Sequence, residues 1–242
     1  MIRLFHVSDI HFGAEDQAAL DWFAATVHAE QPDAVIMTGD LTMRARRHEF
    51  EAAARWLESL NRPVTVEVGN HDLPYFNPWA RLVTPYKRYK SLERMIERPL
   101  DIKGVSVVPL KTTARAQLRL NWSKGYVSGR ALRQALAGVE AVPPGNTVLI
   151  ACHHPLIEAG TRSSAQTRRG KEALTALAAA GAHGVLTGHV HDPFEVEHVT
   201  AHGPVRLIGA GTLSERVRDT RPSFNEIRVA DSGFDAVVRV MA

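Results

Sequence analysis

Five short apolar runs in this chain are each followed, within a few residues, by side chains that bind metal ions. Residues 4–7 lead to Asp9 and His11, residues 35–37 to Asp40, and residues 64–68 to Asn70 and His71. Residues 148–150 lead to His153 and His154, and residues 185–186 to His189 and His191. Ligands of open α/β sheets bind outside the carboxyl ends of the strands, so five such ends on neighbouring strands converge on one site. Gly39, Gly69 and Gly188 stand one residue before Asp40, Asn70 and His189, where glycine permits sharp turns, positive φ and close approach to an ion. Singly, each block is ordinary: an Asp-x-His pair is commonly a cap or surface pair, and Gly39-Asp40 or Asn70-His71-Asp72 suits a turn. His189 and His191 lie on the same side of an extended segment, as a ligand pair requires. Five blocks in order, all after strands, point to metal binding.

The rest of the chain alternates apolar runs with amphipathic segments, the pattern of an α/β protein. Strands are predicted over 3–7, 34–38, 64–68, 105–110, 147–151 and 184–187, then over 194–199, 205–208, 223–229 and 234–240. Helices are predicted over 17–30, 48–60, 128–136 and 170–180. The first should stop before Gln31-Pro32, because proline disfavours helical backbone in the residue preceding it. The first two-thirds thus read as β–α units and the tail as antiparallel. One domain is expected over residues 1–242, with a helical or loop excursion around 73–102 and a surface loop at 158–169.

Hydrophobic residues make up 45% and charged residues 23%, as in soluble globular proteins. No apolar run approaches the roughly 20 residues of a membrane span, and the N-terminus lacks the features of a signal peptide, so a cytoplasmic location is expected. Cys152 is the only cysteine, which excludes an intramolecular disulfide and a thiolate zinc cluster and suits a small buried hydrophobe. A net charge of +3 and a pI near 9.2 tolerate anionic substrates without amounting to a nucleic-acid-binding signature.

Ser8-Asp9-Ile10-His11, Gly39-Asp40, Gly69-Asn70-His71-Asp72, His153-His154-Pro155 and Gly188-His189-Val190-His191 together resemble the five signature blocks of the calcineurin-like metallophosphoesterases. The resemblance implies a four-layer α/β sandwich, two mixed β-sheets flanked by helices. It assigns one metal to Asp9, His11 and His191 with Asp40 shared, and a second to Asp40, Asn70, His153 and His189. His154 is then behind the ligands, orienting one of them or the substrate, and His71 faces the substrate outside the metal shell.

The implied reaction is in-line attack at phosphorus by a hydroxide held between two cations roughly 3.5–4 Å apart. A bridging carboxylate such as Asp40 offers two oxygens, and a neutral Asn70 keeps the site less repulsive to an anionic diester. His71, as imidazolium or as a neutral N–H donor, would stabilise a phosphoryl oxygen or protonate the departing alkoxide. Asp72 either orients His71 or serves as a cap or turn residue. Imidazole and carboxylate donors without sulfur suit Mn, Fe, Zn, Co or Ni, and the family uses chiefly Mn, Fe or Zn.

Departures narrow the resemblance. Met43 stands where purple acid phosphatases carry a tyrosine ligand, and His71 stands where lipid A pathway pyrophosphohydrolases carry arginine. Gly39 to Arg44 and Asp72 break the pattern of the serine/threonine phosphatases. Double-strand-break-repair nucleases need capping and dimerisation segments for which 242 residues leave little room. The chain is most similar to compact bacterial cyclic-nucleotide and glycerophosphodiester phosphodiesterases, with Ser128 as a helix N-cap after Gly125. An Asp-Ser pair usual upstream is replaced by Asn121-Trp122-Ser123. The expected partner is a small phosphate ester. A nuclease acting on nucleic acid, a phosphomonoesterase and a non-catalytic metal-binding scaffold are the alternatives. Arg44, Arg46 and Arg47, and Arg162, Arg168, Arg169 and Lys171, either face an anionic substrate or form a solvated basic surface. Phe12 and Tyr75 stack on a ring or pack in the core.

Overall fold

A computed structural model describes residues 1–97, 100–117, 121–231 and 233–242; residues 98–99 of the excursion lie outside the described residues. The chain runs β1 (Ile2–Val7), α1 (Gln17–Glu30), β2 (Ala34–Met37), α2 (Arg47–Ser59), β3 (Val64–Val66), α3 (Pro78–Val83), α4 (Lys87–Ile96) and β4 (Val105–Pro109). It continues with α5 (Gly129–Glu140), β5 (Thr147–Ala151), α6 (Gly170–Ala179), β6 (Gly184–Thr187), β7 (Phe194–Thr200), β8 (Gly203–Gly209), β9 (Ser223–Ala230) and β10 (Gly233–Val240). No helix among the described residues is long and apolar enough to cross a membrane.

Local signals set the boundaries. Asp16 accepts a hydrogen bond from the Ala19 amide at 3.1 Å and starts α1, and Gln31 ends it in a left-handed conformation before Pro32. Ser128 caps α5 through the Ala131 amide at 3.1 Å, as expected from the sequence. The excursion after residue 73 holds two helices. Asn77 caps α3, which has Pro78 at its first turn, and α4 buries Tyr89, Leu92 and Ile96 on one face.

The strands form two five-stranded sheets, ordered β10-β9-β1-β2-β3 and β4-β5-β6-β8-β7. Strand β1 pairs parallel with β2, and β2 with β3. In the second sheet β4, β5, β6 and β8 run parallel. The tail is antiparallel as expected, but it divides: β7 pairs with β8, while β9 and β10 return to the first sheet beside β1. Strand alternation sends successive side chains to opposite faces. Leu4 packs between the sheets with Ile36, Leu149, Leu186, Ile208 and Ile227, while Phe5 packs outward with Leu20, Phe23 and Leu57 under α1 and α2. On the far side Ile150, Val185 and Leu207 pack under α5 and α6 with Ala135, Leu174 and Leu177. The architecture is therefore helix, sheet, sheet, helix.

This packing brings the carboxyl ends of the parallel strands of both sheets to one edge. The backbone there is under tension. Asp9, His11, Asp40, His189 and His191 have φ of 57°, 45°, 54°, 71° and 63°, a left-handed region that costs a non-glycine residue about 1–2 kcal/mol. Hydrogen bonds between the turns hold it: the Asp9 amide donates to Gly39 O at 3.0 Å, the His11 amide to Asp40 O at 3.0 Å, and the Gly188 amide to His153 O at 2.9 Å. Gly188 is required by crowding, because a Cβ there would lie 1.8 Å from Ser8 Oγ and 2.4 Å from Asp9 Oδ2. At Gly69 a Cβ would lie 2.0 Å from Asp40 Oδ1.

Away from this edge, an ionic network ties the first sheet together. Glu226, on β9, accepts from Arg3 Nε at 2.9 Å, Arg228 Nε at 2.9 Å and Arg239 Nη1 at 2.7 Å. Burial raises the Glu226 pKa, but the hydrogen bonds from Arg228, Arg3 and Arg239 outweigh it and hold the carboxyl at about 2. Because the folded pKa lies below the ordinary 4.5, this stabilisation is present above pH ~4.5 and is lost as pH falls toward 2. Glu226→Gln should cost about 1–3 kcal/mol at neutral pH and flatten the loss of stability between those pH values, as measured by urea unfolding. Gly188→Ala should cost about 2 kcal/mol or more through overpacking, read as a fall in melting temperature.

Candidate metal centre

At the shared edge the five strand-end turns press their side chains into one cluster. Asp9, His11 and His191 form one group of donors, all within 4.8 Å of one another and all buried. Asp9 Oδ1 lies 3.1 Å from His191 Nε2 and 3.6 Å from His11 Nε2. His11 Nε2 and His191 Nε2 face each other at 3.2 Å. The other oxygen of Asp9 is occupied by the His189 amide at 2.8 Å. Asp9 Oδ1 itself and His11 Nδ1 are buried without a hydrogen-bond partner.

The second group surrounds His153. Its Nε2 lies 3.3 Å from Asp40 Oδ2 and 3.2 Å from the Asn70 side-chain oxygen. That oxygen position is also 3.1 Å from His189 Nδ1. With oxygen there, three lone-pair donors face one another, which is stable with a cation between them; with the amide turned, its nitrogen donates to the rings instead. Asp40 stands between the groups. Its Oδ2 is 3.3 Å from His153 Nε2 and 3.8 Å from His11 Nε2, and its Oδ1 is taken by the His71 amide at 2.8 Å.

Backbone carbonyls fix the imidazoles. His153 Nδ1 donates to Thr38 O and His191 Nδ1 to Arg216 O, both at 2.8 Å. A carbonyl accepts only, so each ring carries its hydrogen on Nδ1 and turns Nε2 into the cluster. Burial raises the carboxyl pKa values of Asp9 and Asp40, but neighbouring histidines hold both below the usual range: His191 leads at Asp9 and His153 at Asp40. His153 is buried, which lowers its pKa, yet Asp40 lifts it to about 9. Burial and His153 push His189 down to about 3. A proton on His153 thus stands in for positive charge, and a cation binding there must expel it. Buried carboxylates, inward-facing ring nitrogens and an orphaned Asp9 oxygen fit a site for borderline metal ions.

All seven residues read as ligands from the sequence come to this cluster, and the remaining candidates adopt distinct positions. His154 is behind it: Thr112 Oγ1 meets its Nδ1 at 2.9 Å, and its Nε2 donates to Ser123 O at 2.8 Å. His71 lies edge-on to His11, with ring centroids 4.8 Å apart, and shares a donor group with His11 and Asp40. Its Nδ1 donates to Met43 O at 2.8 Å, and its Nε2 is 3.0 Å from Arg216 Nη1. Arginine only donates, so His71 is neutral here and offers no N–H to the site through Nε2. Asp72 makes no hydrogen bond to the His71 ring among the described residues. It accepts instead from the Gly69 amide at 2.9 Å, and from the amide and hydroxyl of Thr42 at 2.9 and 3.0 Å, clasping two of the turns together. Phe12 is buried against Trp56, whereas Tyr75 is exposed beside Phe76. Of the basic residues, Arg47 pairs with Glu51 and Arg169 with Glu172, Arg168 lies over Tyr126 and Arg44 over Phe76.

Sequence reasoning missed the turn after β8. Thr212 Oγ1 donates to Asp9 O and meets Ser214 Oγ at 2.7 Å, and Arg216 reaches His71. The signal was a sixth strand end: residues 205–208 are followed by Gly209-Ala210-Gly211-Thr212, small residues at another close approach.

Comparison with known proteins agrees with this geometry. One of the two kinds of chain in the SbcCD nuclease, that from Staphylococcus saprophyticus, is 27% identical over 220 residues, covering 81% of this chain. The chain spans only 58% of that protein's length. The fold is shared with a dimetal phosphatase from Danio rerio, with TM-score 0.68 and 14% identity over 100% of this chain and 99% of that one. It is also shared with a purple acid phosphatase from yellow lupin (Lupinus luteus) seeds, with TM-score 0.70 and 12% identity over 99% of this chain and 51% of that one. Residues 2–193 match the calcineurin-like phosphoesterase family, which implies a binuclear metal centre where the His and Asp clusters lie. On that match, which covers most of the sequence, the protein belongs to the calcineurin-like phosphoesterases.

Proposed function

We propose that this protein is a binuclear metal-dependent phosphodiesterase that hydrolyses P–O bonds of small phosphodiesters of the cyclic-nucleotide or glycerophosphodiester type. The observation that carries the reading is the seat of Asp40, whose one free oxygen faces His11 Nε2 on one side and His153 Nε2 on the other. A carboxylate so flanked suits two cations and serves neither alone. Asp9, His11 and His191 would complete one site, and Asn70, His153 and His189 the other, with Asp40 shared. Mn, Fe or Zn suits these donors. When bound, such a pair polarises phosphoryl oxygens and supplies a nucleophile near neutral pH.

The chain's own residues supply position and proton handling. Thr38 O and Arg216 O keep His153 and His191 in the tautomer that ligates. His154, held neutral by burial and by His189 and His153, backs Asn70. His71, outside the shared donors but against His11, is placed to exchange a proton with a departing alkoxide through Nε2. Asn70 in place of a third carboxylate keeps the site tolerant of a monoanionic diester.

The Staphylococcus relative favours a second reading, a nuclease acting on nucleic-acid diesters. Hydrolysis of a bis-aryl phosphodiester, its monoester and single-stranded DNA, each with manganese, separates the readings. Clear preference for the monoester would remove the diesterase proposal, and preference for DNA would favour the nuclease.

Asp40→Ala is expected to remove activity and to lower bound metal from two ions to at most about one per chain, measured by elemental analysis. Full activity in that variant would exclude a bridging role. His71→Ala should slow turnover about 10²–10⁴-fold while metal content stays unchanged; loss of metal would place His71 among the ligands.

A further inference from the structure

We propose that Arg216 is the residue that grips a non-bridging oxygen of the substrate's phosphoryl group, and that its contact with His71 is its resting place in the free protein. The inference rests on the phosphoesterase reading and adds a substrate-binding residue to it.

Arg216 sits in the turn after β8, half-buried at the edge of the metal cluster. Its backbone is fixed twice: its carbonyl accepts from His191 Nδ1 at 2.8 Å and its amide donates to Ser214 Oγ at 3.3 Å. Ser214 in turn meets Thr212, whose hydroxyl holds Asp9 O. The main chain at Arg216 is therefore tied to two of the residues that would hold one cation, whatever its side chain does.

The side chain is poorly used by the protein. Nη1 meets His71 Nε2 at 3.0 Å and Met43 Sδ at 3.7 Å. Among the described residues, Nε and Nη2 have no hydrogen-bond acceptor, and no carboxylate lies within ion-pair distance of the guanidinium. The neighbouring cations behave differently: Arg162 faces Asp219 at 3.6 Å, and Arg47 and Arg169 have their own glutamates. A guanidinium is a planar fork whose parallel N–H groups match two oxygens of a phosphate. Here the half-filled fork stands beside His71, whose ring abuts His11 and shares a donor group with Asp40. A phosphoryl group lying on the cations would present its outer oxygens toward that side. The weak partners, an imidazole lone pair and a thioether, give way to an anionic oxygen, because charge-assisted hydrogen bonds are the stronger.

The test uses manganese-loaded full-length protein and the variants Arg216→Ala, Arg216→Gln and Arg216→Lys, with metal content and melting temperature checked in each. Two quantities are read: KM and kcat for a bis-aryl phosphodiester, and the affinity for inorganic phosphate by calorimetry. The proposal expects Arg216→Ala and Arg216→Gln to raise KM and weaken phosphate binding by about 10- to 100-fold, with kcat changed much less. Arg216→Lys should recover part of both, since it restores the charge but not the fork. If instead kcat falls while KM and phosphate affinity hold, Arg216 serves only to hold His71, and the proposal is wrong. Failure of the wild type to hydrolyse any phosphoester would sink the phosphoesterase reading alone; the phosphate affinities would still decide Arg216. Should Arg216→Ala fold poorly, the Gln and Lys variants carry the comparison.

Discussion

Everything at the strand-end edge is arranged around groups that repel one another unless positive charge lies between them. Two buried carboxylates, Asp9 and Asp40, and the inward nitrogens of His11, His153, His189 and His191 crowd within a few ångströms. Burying such groups without compensation is among the most unfavourable things a fold can do. Five of the residues also hold left-handed backbone conformations, and strain of that kind persists only where the surroundings over-determine it. The surroundings here are two sheets locked by an apolar layer and turns cross-bonded through their own amides. The sandwich is the device that keeps the cluster from relaxing apart, and its three apolar layers are the source of the required stability.

A second regularity lies in how the imidazoles are oriented. Thr38, Met43, Ser123 and Arg216 each offer a backbone carbonyl to a histidine N–H. Orientation by main-chain oxygen leaves the side chains at those positions free for other work. Arg216 illustrates the point: its carbonyl serves His191 while its guanidinium points to His71. It also explains the limits of sequence reading. The ligating residues were legible because chemistry fixes their identity and strand periodicity fixes their place. The carbonyls that aim them could not be read, since any residue provides a carbonyl and only the fold says which one arrives. Arg216 was illegible for a related reason, as nothing in an Arg two residues after Ser214 distinguishes it from the other arginines of a basic chain.

The elements divide along the same physical line. The ten strands and the four long helices announce themselves by period and by caps such as Ser128, because each buries one face against a layer. Helices α3 and α4 hid within the excursion. Their Lys, Arg and aromatic content masks an apolar stripe at Tyr89, Leu92 and Ile96, although Asn77-Pro78 is a legible helix start. The tail was readable as antiparallel, but its division between sheets was not, since pairing partners depend on which edges the earlier strands leave open. Asp72 shows the same limit at one residue. Its type suits a partner of His71, and only the folded turns reveal that the Gly69 and Thr42 amides claim both its oxygens first.

The distribution of positive charge bears on the size of the substrate. Long nucleic acids are held by ranks of cations that neutralise successive phosphates. In this chain most arginines near the site already have partners: Arg47 and Arg169 face glutamates on their own helices, and Arg168 covers Tyr126. Arg44 lies over exposed Phe76, and Arg162 faces Asp219. What is left facing the cluster is one half-filled guanidinium on a fixed turn beside the metal donors. A compact charge at a single point recognises a single phosphoryl group, and the rest of the ligand must then be selected by shape and by apolar contact rather than by a charged track. That economy of charge favours a small diester over a polymer, even though the Staphylococcus relative, nearly twice as long as the stretch it shares, is part of a nuclease.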